Sequence, residues 1–311
     1  MTILVSGSLA LDHIMVFPDR FANHILPEKL DALNVSFNIT SLKTHFGGVA
    51  GNIAYHLRLL GEEPLILAAV GEDFGPYAEW LDGCGIRRDG LRVLSDVRTA
   101  QGFATTDADD CQIWAFYEGA MARAHEARVQ DVKEAIDLAI VSSNGKQAML
   151  DHARALKERG VPTYVGPSPG LPLLSRDELV ELIEGAAGYF VNDYEWSLTL
   201  ETTGLDEAAV AARCGVVIIT RGAEGSEVRA DGDALQIPAV AAVEVVDPTG
   251  CGDAYRAGFL YGLAAGQPLD VAGRMGSLMG ARQVAVLGTQ VQRIDLEAFR
   301  RDYAEVFGAA F

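Results

Sequence analysis

The sequence predicts a doubly wound α/β fold, in which helices flank a mainly parallel sheet and a small β-sheet forms a lid. From Ala139 onward, apolar segments alternate with helical segments at the spacing of repeated β-α-β units. Residues 12–46 and 99–120 instead contain short segments with partial alternation of apolar and polar residues. We expect these two stretches to form an inserted antiparallel sheet at the ligand end of the main sheet, where a lid would lie.

Length and charge narrow the class of protein. The 311 residues, 49% hydrophobic and 22% charged, are typical of a soluble globular enzyme. A net charge of −18 argues against nucleic-acid or anionic-membrane partners, because both bind through basic patches. Four scattered cysteines favour free thiols, and the sequence shows no signal peptide or membrane-spanning run. We therefore expect a cytoplasmic protein.

The elements follow from apolar runs and their glycine-rich ends. We expect residues 1–11, 47–98 and 121–311 to form the main domain, with residues 12–46 and 99–120 as the lid. Lid strands are predicted at residues 13–17, 33–37, 41–46, 99–106 and 112–117. Other strands are predicted at residues 3–8, 65–70, 139–142, 163–165, 189–191, 216–219 and 241–246, with a hairpin reaching residue 237. Helices are predicted after the glycine pair at 47–48 and at residues 147–159, 177–184, 254–262 and 271–286.

The most informative stretch is Asp-Pro-Thr-Gly-Cys-Gly-Asp at residues 247–253. Gly250 and Gly252 allow the backbone to approach a ligand, and N–H groups at the start of a helix bind anions. Asp253 would repel a phosphate there, unless it is a base that takes the proton from a hydroxyl attacking that phosphate. The alternative is a glycine-rich turn whose aspartate caps the helix.

A second group of candidates lies near the first strand and the lid. Asp12 could accept hydrogen bonds from substrate hydroxyls or be a solvated loop acid. The pair Gly47-Gly48 and Asn52 could approach a small ligand, or form a tight helix entry with a capping asparagine. Phe103 and Phe116 could face a ligand ring or pack together.

A third group suits a nucleotide. Asn192 and Glu195 could hold water ligands of Mg²⁺, which keeps most of its water shell, or form a capping box. The turn containing Thr220, Gly222 and Gly225 suits a nucleotide phosphate but lacks the lysine of the Walker motif.

Two flanking features are open to more than one interpretation. Arg256, one turn into the predicted helix, could reach a phosphate or be a solvated helix-face arginine. Residues 287–290 could border an adenine. A dinucleotide fingerprint would require glycine at position 255, where the chain has Tyr255, which disfavours a dehydrogenase of Rossmann type.

Over essentially the whole chain, and in the same order, these motifs resemble the ribokinase-like (PfkB) carbohydrate and nucleoside kinases. The resemblance rests on Gly47-Gly48 with Asn52, residues 192–195, Thr220-x-Gly222-x-x-Gly225, and residues 247–253. It implies that Asp253 is the catalytic base. The anion hole it implies consists of Gly250, Cys251 and Gly252. The implied ligands of the substrate ribose are Ser8, Asp12, Gly48 and Asn52, and those of ATP and Mg²⁺ are Asn192, Glu195, Thr220, Gly222 and Gly225.

Three stretches look like the bacterial, mycobacterial-type adenosine kinases. They are residues 8–13 with 17–21, residues 116–121, and residues 253–259. In that group an aromatic pair sandwiches adenine. Phe116 matches one member, but Gly102, beside Phe103, stands at the other position. Pro169-Gly170 replaces a glutamine pair that contacts the base there, so both departures concern the base.

The resemblance implies ATP-dependent phosphorylation of the 5′-hydroxyl of a nucleoside, with adenosine as the favoured substrate and purine salvage as the role. One alternative is a sugar kinase of the same family acting on a ribose-like or fructose-like substrate. Another is a non-catalytic nucleoside-binding protein with this fold. The expected cofactors are ATP and Mg²⁺, with K⁺ as a further candidate, and the lid is a candidate surface for a homodimer.

Overall fold

In the computed structural model, which describes residues 1–311 with the side chain of Glu28 excepted, the chain forms two sheets flanked by helices. The strands are β1 (Ile3–Ser6), β2 (Ala10–Val16), β3 (Ser41–Gly47), β4 (Leu65–Val70), β5 (Leu91–Val93), β6 (Ala100–Thr106), β7 (Gln112–Tyr117), β8 (Leu138–Ser142), β9 (Thr163–Gly166), β10 (Gly188–Asn192), β11 (Val216–Thr220), β12 (Ser226–Ala230) and β13 (Asp233–Ile237). The α-helices are α1 (Val49–Leu59), α2 (Gly75–Gly83), α3 (Lys146–Glu158), α4 (Arg176–Ile183), α5 (Asp193–Thr203), α6 (Glu207–Ala211), α7 (Cys251–Ala264), α8 (Leu269–Val284) and α9 (Leu296–Phe307).

The larger sheet has the order β13-β12-β11-β10-β9-β8-β1-β4-β5. In this order, all neighbouring strands between β5 at one edge and β11 are parallel. At the other edge, β12 and β13 add an antiparallel hairpin. One face packs against α1, α2, α7, α8 and α9, and the other against α3, α4, α5 and α6, so each face has its own hydrophobic core. The predicted doubly wound α/β fold is therefore confirmed. Within the described residues, no helix has both the length and the apolar character needed to cross a membrane.

The smaller sheet is built from strands of the two stretches predicted to form the lid, in the order β3-β2-β6-β7, and we call it the lid sheet. It is mixed rather than antiparallel, because its central pair β2–β6 is parallel. The prediction of a strand at residues 33–37 is wrong, because these residues, which the structure describes, form no strand. Phe37 instead packs against Phe17 and Phe21, with ring centroids 4.8 and 5.0 Å apart. The apolar pattern there reflects an aromatic cluster rather than a strand.

The prediction of a strand at residues 241–246 is also wrong. This stretch is an irregular connection from β13 to α7, and the side chains of Val243 and Val245 are exposed. The N–H groups of Val246 and Asp247 donate to the carbonyl of Val284, at the end of α8, at 2.8 and 3.0 Å. Since β propensity expresses packing within a sheet, valines without a neighbouring strand do not form one.

Candidate active site

The signature turn at residues 247–253 joins this irregular connection to α7, which begins at Cys251 rather than at residue 254. Gly250 has φ +78°, a left-handed conformation that favours glycine. Gly252 differs, because a Cβ there would meet only the Arg256 Nη1 atom, at 3.8 Å. The fold leaves open space at Gly252, as expected if a ligand approaches the backbone there. The Cys251 N–H donates to the Pro248 carbonyl at 3.2 Å, so anion binding would fall to the N–H groups that follow.

Asp253 is buried at the start of α7, with 7% of its surface exposed. One carboxylate oxygen accepts a hydrogen bond from Asn52 Nδ2 at 2.9 Å, and the other accepts one from Arg256 Nη1 at 3.0 Å. These partners are side chains, so the carboxylate does not serve as a helix cap. Burial raises the pKa of Asp253, while Arg256 and the Asn52 hydrogen bond oppose that rise.

Arg256 is not the solvated helix-face arginine that was one of the sequence-based alternatives. It is 8% exposed, and its guanidinium donates to Asp253 and to the Ser168 hydroxyl. Arg256 lies three residues after Asp253, so the two side chains lie on the same face of α7. Because α7 is buried on all sides, both side chains are buried.

Behind Asp253, Asn52 is held by a residue that sequence reasoning placed elsewhere. Asn52 Oδ1 accepts a hydrogen bond from Gln290 Nε2 at 3.2 Å, and Gln290 Oε1 accepts one from Trp80 Nε1 at 2.9 Å. Gln290 therefore fixes which end of the Asn52 amide faces Asp253. Gln290 lies behind Asn52 and does not border an adenine, whereas for residues 287–289 the hypothesis stays a prediction.

Ser8 and Gly48 build the start of α1. Ser8 Oγ accepts from the Val49 N–H at 3.1 Å, and Gly48 has φ +85°. A Cβ on Gly48 would lie 2.5 Å from the Ser8 carbonyl oxygen, so glycine is required by close packing. Asn52 lies inside α1 and is not its cap, since its side chain is directed to Asp253.

Asp12 is not a solvated loop acid. It lies on β2, between His45 of β3 and Gly102 of β6. Its carboxylate occupies the space where side chains on Gly47 and Gly102 would begin: a Cβ would lie 2.2 and 2.7 Å from its oxygens. Burial raises the pKa of Asp12 to about 6. The glycine at 102, which departs from the adenosine kinase pattern, therefore makes room for this acid.

The lid places two aromatic side chains on the same face as Asp12. Phe116 pairs directly with Gly102, and Trp114, two residues earlier, shares its face of β7. The Trp114 ring would lie 3.3 Å from a Cβ on Gly102. Phe116 and Trp114 are 54% and 52% exposed, so both rings are open to a ligand.

Phe103 lies on the opposite face of the lid. As the neighbour of Gly102 on β6 its side chain alternates to the other side, where it stacks on His13 with ring centroids 4.8 Å apart. The hypothesis that Phe103 covers the base is therefore wrong. Sequence reasoning missed Trp114, although its spacing of two residues from Phe116 was a usable signal.

A cavity of about 550 Å³ lies between the turn after β11 and helices α7 and α8. Its walls include Thr220, Gly222 and Gly225 on one side and Cys251 and Gly252 on the other, as the two glycine-rich motifs predict. Apolar side chains complete it, among them Val240, Val245, Ala281 and Val284. Backbone amides at one end of the cavity suit the phosphates of a nucleotide, at the start of α7. The apolar walls of the rest of the cavity suit the other parts of a nucleotide.

Asn192 and Glu195 form the complete capping box of α5. The Glu195 N–H donates to Asn192 Oδ1 at 2.8 Å, and the Asn192 N–H donates to Glu195 Oε2 at 3.0 Å. The cap engages one Glu195 oxygen, and the negative charge of Glu195 contributes to the raised pKa of Asp253. A carboxylate near the base fits Mg²⁺ bound through water and phosphate. Among the described residues, no three acidic, histidine or cysteine side chains gather as a direct metal site.

Comparison with known proteins decides the family. A sequence model of the pfkB family carbohydrate kinases matches residues 9–295, which include the lid, Asn52, the nucleotide turn and the signature. The chain belongs to the pfkB family of carbohydrate kinases. The resemblance inferred from the motifs is therefore confirmed at the level of the family, while the adenosine kinase subtype stays a prediction.

Nucleoside kinases are among the most similar proteins. One from Methanothermobacter thermautotrophicus is 32% identical over 315 aligned positions, covering 97% of this chain and 96% of that protein. The structure of Burkholderia thailandensis nucleoside kinase in complex with inosine matches with a TM-score of 0.90 and 40% identity, over 99% of this chain and all of that one. The same kinase in complex with ADP-inosine matches with a TM-score of 0.87 and 42% identity, over 99% of this chain and 97% of that one.

Proposed function

We propose that this pfkB-family protein is an ATP-dependent nucleoside kinase that transfers the γ-phosphoryl group to the 5′-hydroxyl of a nucleoside. The observation that carries the proposal is the position of Asp253. It is hydrogen-bonded to Asn52 of the substrate side and adjoins Gly252, which lines the nucleotide cavity. The similarity to nucleoside kinases, including one bound to inosine, supports a nucleoside as the acceptor.

In the proposed reaction, Asp253 takes the proton of the 5′-hydroxyl as that oxygen attacks the γ-phosphorus. Backbone N–H groups at the start of α7 stabilise the charge on the phosphoryl oxygens, and Gly252 leaves them room. Mg²⁺, held through water by Asn192 and Glu195, would offset the remaining phosphate charge. Thr220, Gly222 and Gly225 line the cavity that would hold ATP.

On the other side of Asp253, Asp12 and Asn52 would hold the ribose hydroxyls, and Ser8 and Gly48 shape the backbone beside them. Phe116 and Trp114 would cover the base. Trp114 stands over Gly102, so it takes the place of the missing aromatic partner.

The base is expected to be recognised by stacking more than by hydrogen bonds. Pro169-Gly170 lacks the side-chain amides found in the adenosine kinase pattern. The two rings over Asp12 stack on any purine, because every base presents a π-face. We propose that adenosine and inosine are both accepted.

The experiment is ADP release with adenosine, inosine, cytidine, ribose and fructose as acceptors. Since stacking on an aromatic ring is worth about 1–3 kcal/mol, kcat/KM for purine nucleosides should exceed that for ribose by about 10- to 100-fold. Preference for ribose or fructose would instead establish the sugar kinase alternative. Nucleoside binding without ADP release would establish the non-catalytic alternative.

We also propose that residues 12–46 and 99–120 act as a lid and that two chains associate through it. The lid face opposite Asp12 exposes the apolar side chains of Leu42 and Ile113. Light scattering of the purified protein would give twice the chain mass.

A dependence of turnover on K⁺ is a separate prediction, tested by exchanging K⁺ for Na⁺ in the ADP-release assay.

A further inference from the structure

Arg256 forms a buried ion pair with Asp253, the proposed base, although proton transfer to a carboxylate does not itself require an arginine. Arg256 Nη1 donates to Asp253 at 3.0 Å, and its second nitrogen donates to the Ser168 hydroxyl. The guanidinium is also packed against β9, because a Cβ on Gly166 would lie 3.3 Å from Arg256 Nε. The side chain is thus held on several sides and points at the base.

A buried guanidinium beside a catalytic base creates a condition that the reaction must meet. Arginine stays protonated in proteins, so burying it requires a counter-charge. Asp253 supplies that charge while it is ionised. When Asp253 accepts the proton of the attacking hydroxyl its charge is lost, and Arg256 is left buried without a counter-ion.

The geometry supplies the replacement. Arg256 Nη1 lies 3.8 Å from the point where a Cβ on Gly252 would be, so the nitrogen that binds Asp253 also borders the anion-binding turn. A phosphoryl group at that turn would bring negative charge to Nη1. The guanidinium therefore borders both the base and the expected place of the phosphoryl group.

We infer that Arg256 is a catalytic residue, which aims the Asp253 carboxylate and then pairs with the transferred phosphoryl group as Asp253 becomes protonated. The inference rests on the proposed nucleoside kinase function. The 5′-oxygen forms a bond to the γ-phosphorus, the bond from that phosphorus to the ADP oxygen breaks, and the hydroxyl proton passes to Asp253. The negative charge lost at Asp253 is replaced at Arg256 by that of the new phosphate ester.

The charges around Asp253 give this inference a pH signature. Burial and the negative charge of Glu195 oppose ionisation of the Asp253 carboxyl, whereas Arg256 and the Asn52 hydrogen bond favour it. Cys251 is the further titratable group beside it. Without the guanidinium, burial and the charge of Glu195 still raise the pKa of Asp253. The pH below which turnover falls should therefore rise in Arg256 variants.

The test compares Arg256→Gln and Arg256→Lys with the wild type, using inosine and ATP. For Arg256→Gln we expect kcat to fall about 100-fold, as when one donor to a developing charge is removed. The acid limb of kcat should move up by about one pH unit, with the nucleoside Kd within about threefold of the wild type. Arg256→Lys should recover part of kcat and most of the acid limb, because its charge is kept.

Arg229→Gln is the matched control. Arg229 is also partly buried and paired with carboxylates, but it lies on β12 and contacts Glu227 and Glu207. Its loss should change stability without moving the pH profile. A wild-type pH profile and kcat in Arg256→Gln would overturn the inference.

If Arg256→Gln does not fold, Ser168→Ala decides. This variant keeps the Cβ of Ser168 and removes the hydroxyl that accepts the hydrogen bond from Arg256 Nη2. We expect kcat to fall several-fold with a smaller upward shift of the acid limb, and an unchanged profile contradicts the inference. A wild type that phosphorylates no nucleoside contradicts the proposed function itself, and the inference falls with it.

Discussion

The two halves of the cleft are built in different ways. Around Asp253, the side chains of Asn52, Gln290 and Arg256 are buried and belong to one chain of hydrogen bonds. Under the lid, the rings of Trp114 and Phe116 are half exposed. In the proposed reaction, the first half would be preorganised for one chemical step, whereas a bound ligand would cover the second.

Asp12 belongs to the lid by its strand but resembles the Asp253 half in its environment. Its side chain is partly buried, and the glycines at 47 and 102 make room for its carboxylate. In the proposed function, the difference between the halves follows from what each half would recognise. A hydroxyl or a phosphoryl group needs fixed polar partners, while a base face needs an open apolar surface.

The largest effect is expected at the base itself. Asp253→Asn should lower kcat by about 10³- to 10⁴-fold, because general base catalysis is lost while the shape is kept. The nucleoside Kd, measured by calorimetry, should stay within about threefold. Near-normal turnover in this variant would remove Asp253 from the mechanism.

A single methyl group tests the anion-binding turn. Gly252→Ala should fold normally, changing the free energy of unfolding by under about 1 kcal/mol, because its Cβ meets only Arg256 Nη1. It should lower kcat by about 100-fold, since the methyl group occupies the approach to the phosphoryl oxygens.

Gly48→Ala is the contrasting control for that variant. Its Cβ would lie 2.5 Å from the Ser8 carbonyl oxygen in a left-handed conformation, so this change should lower the melting temperature. Equal losses of stability in the two variants would show that position 252 serves the fold and not a ligand.

Asp12 should govern affinity rather than rate. Asp12→Asn should raise the nucleoside Kd by about 10- to 100-fold, as expected for charge-assisted hydrogen bonds. Because the ionised form accepts from the hydroxyls and its pKa is about 6, wild-type affinity should fall as the pH drops through 6.

The exposed lid carboxylate Asp19 is the control for Asp12. Its pKa is lowered to about 2, chiefly by a hydrogen bond from His24, so it stays ionised through this range. Asp19→Asn should leave both the affinity and its pH dependence unchanged. A wild-type Kd that is constant from pH 7 to pH 5 would contradict the role of Asp12.

The smallest effect is expected at the lid aromatics. Phe116→Ala and Trp114→Ala should each raise KM by about tenfold, with kcat within about threefold, because stacking is lost and the chemistry is untouched. Phe103→Ala, on the opposite face, should change KM by less than about threefold. A larger effect at Phe103 than at Trp114 would reverse the assignment of the lid faces.

The sequence predicted local features well, since each rests on neighbouring residues. The turn and helix start at Gly250–Gly252, the capping box of Asn192 and Glu195, and the alternation of strands and helices are all encoded within a few positions. Asp12 and Asn52 were singled out, but with local alternatives that only burial could remove.

Features that depend on distant partners were not predictable. The interpretation of Arg256 required knowing that Ser168, 88 residues away in the chain, meets its guanidinium. Gln290 and Asn52 are 238 residues apart. Phe103 was misassigned because the face of a lid strand is set by its register with β2, which no local pattern reveals.

The central claim is that Asp253 directs phosphoryl transfer to the 5′-hydroxyl of a nucleoside. The most direct measurement is ³¹P NMR of the wild-type protein with inosine, ATP and Mg²⁺, read beside the same reaction with 5′-deoxyinosine. The account predicts one equivalent of ADP and one of inosine 5′-monophosphate from inosine, and no phosphorylated product from the deoxy compound. Phosphate on the 2′- or 3′-oxygen, or a phosphorylated product from 5′-deoxyinosine, would contradict it.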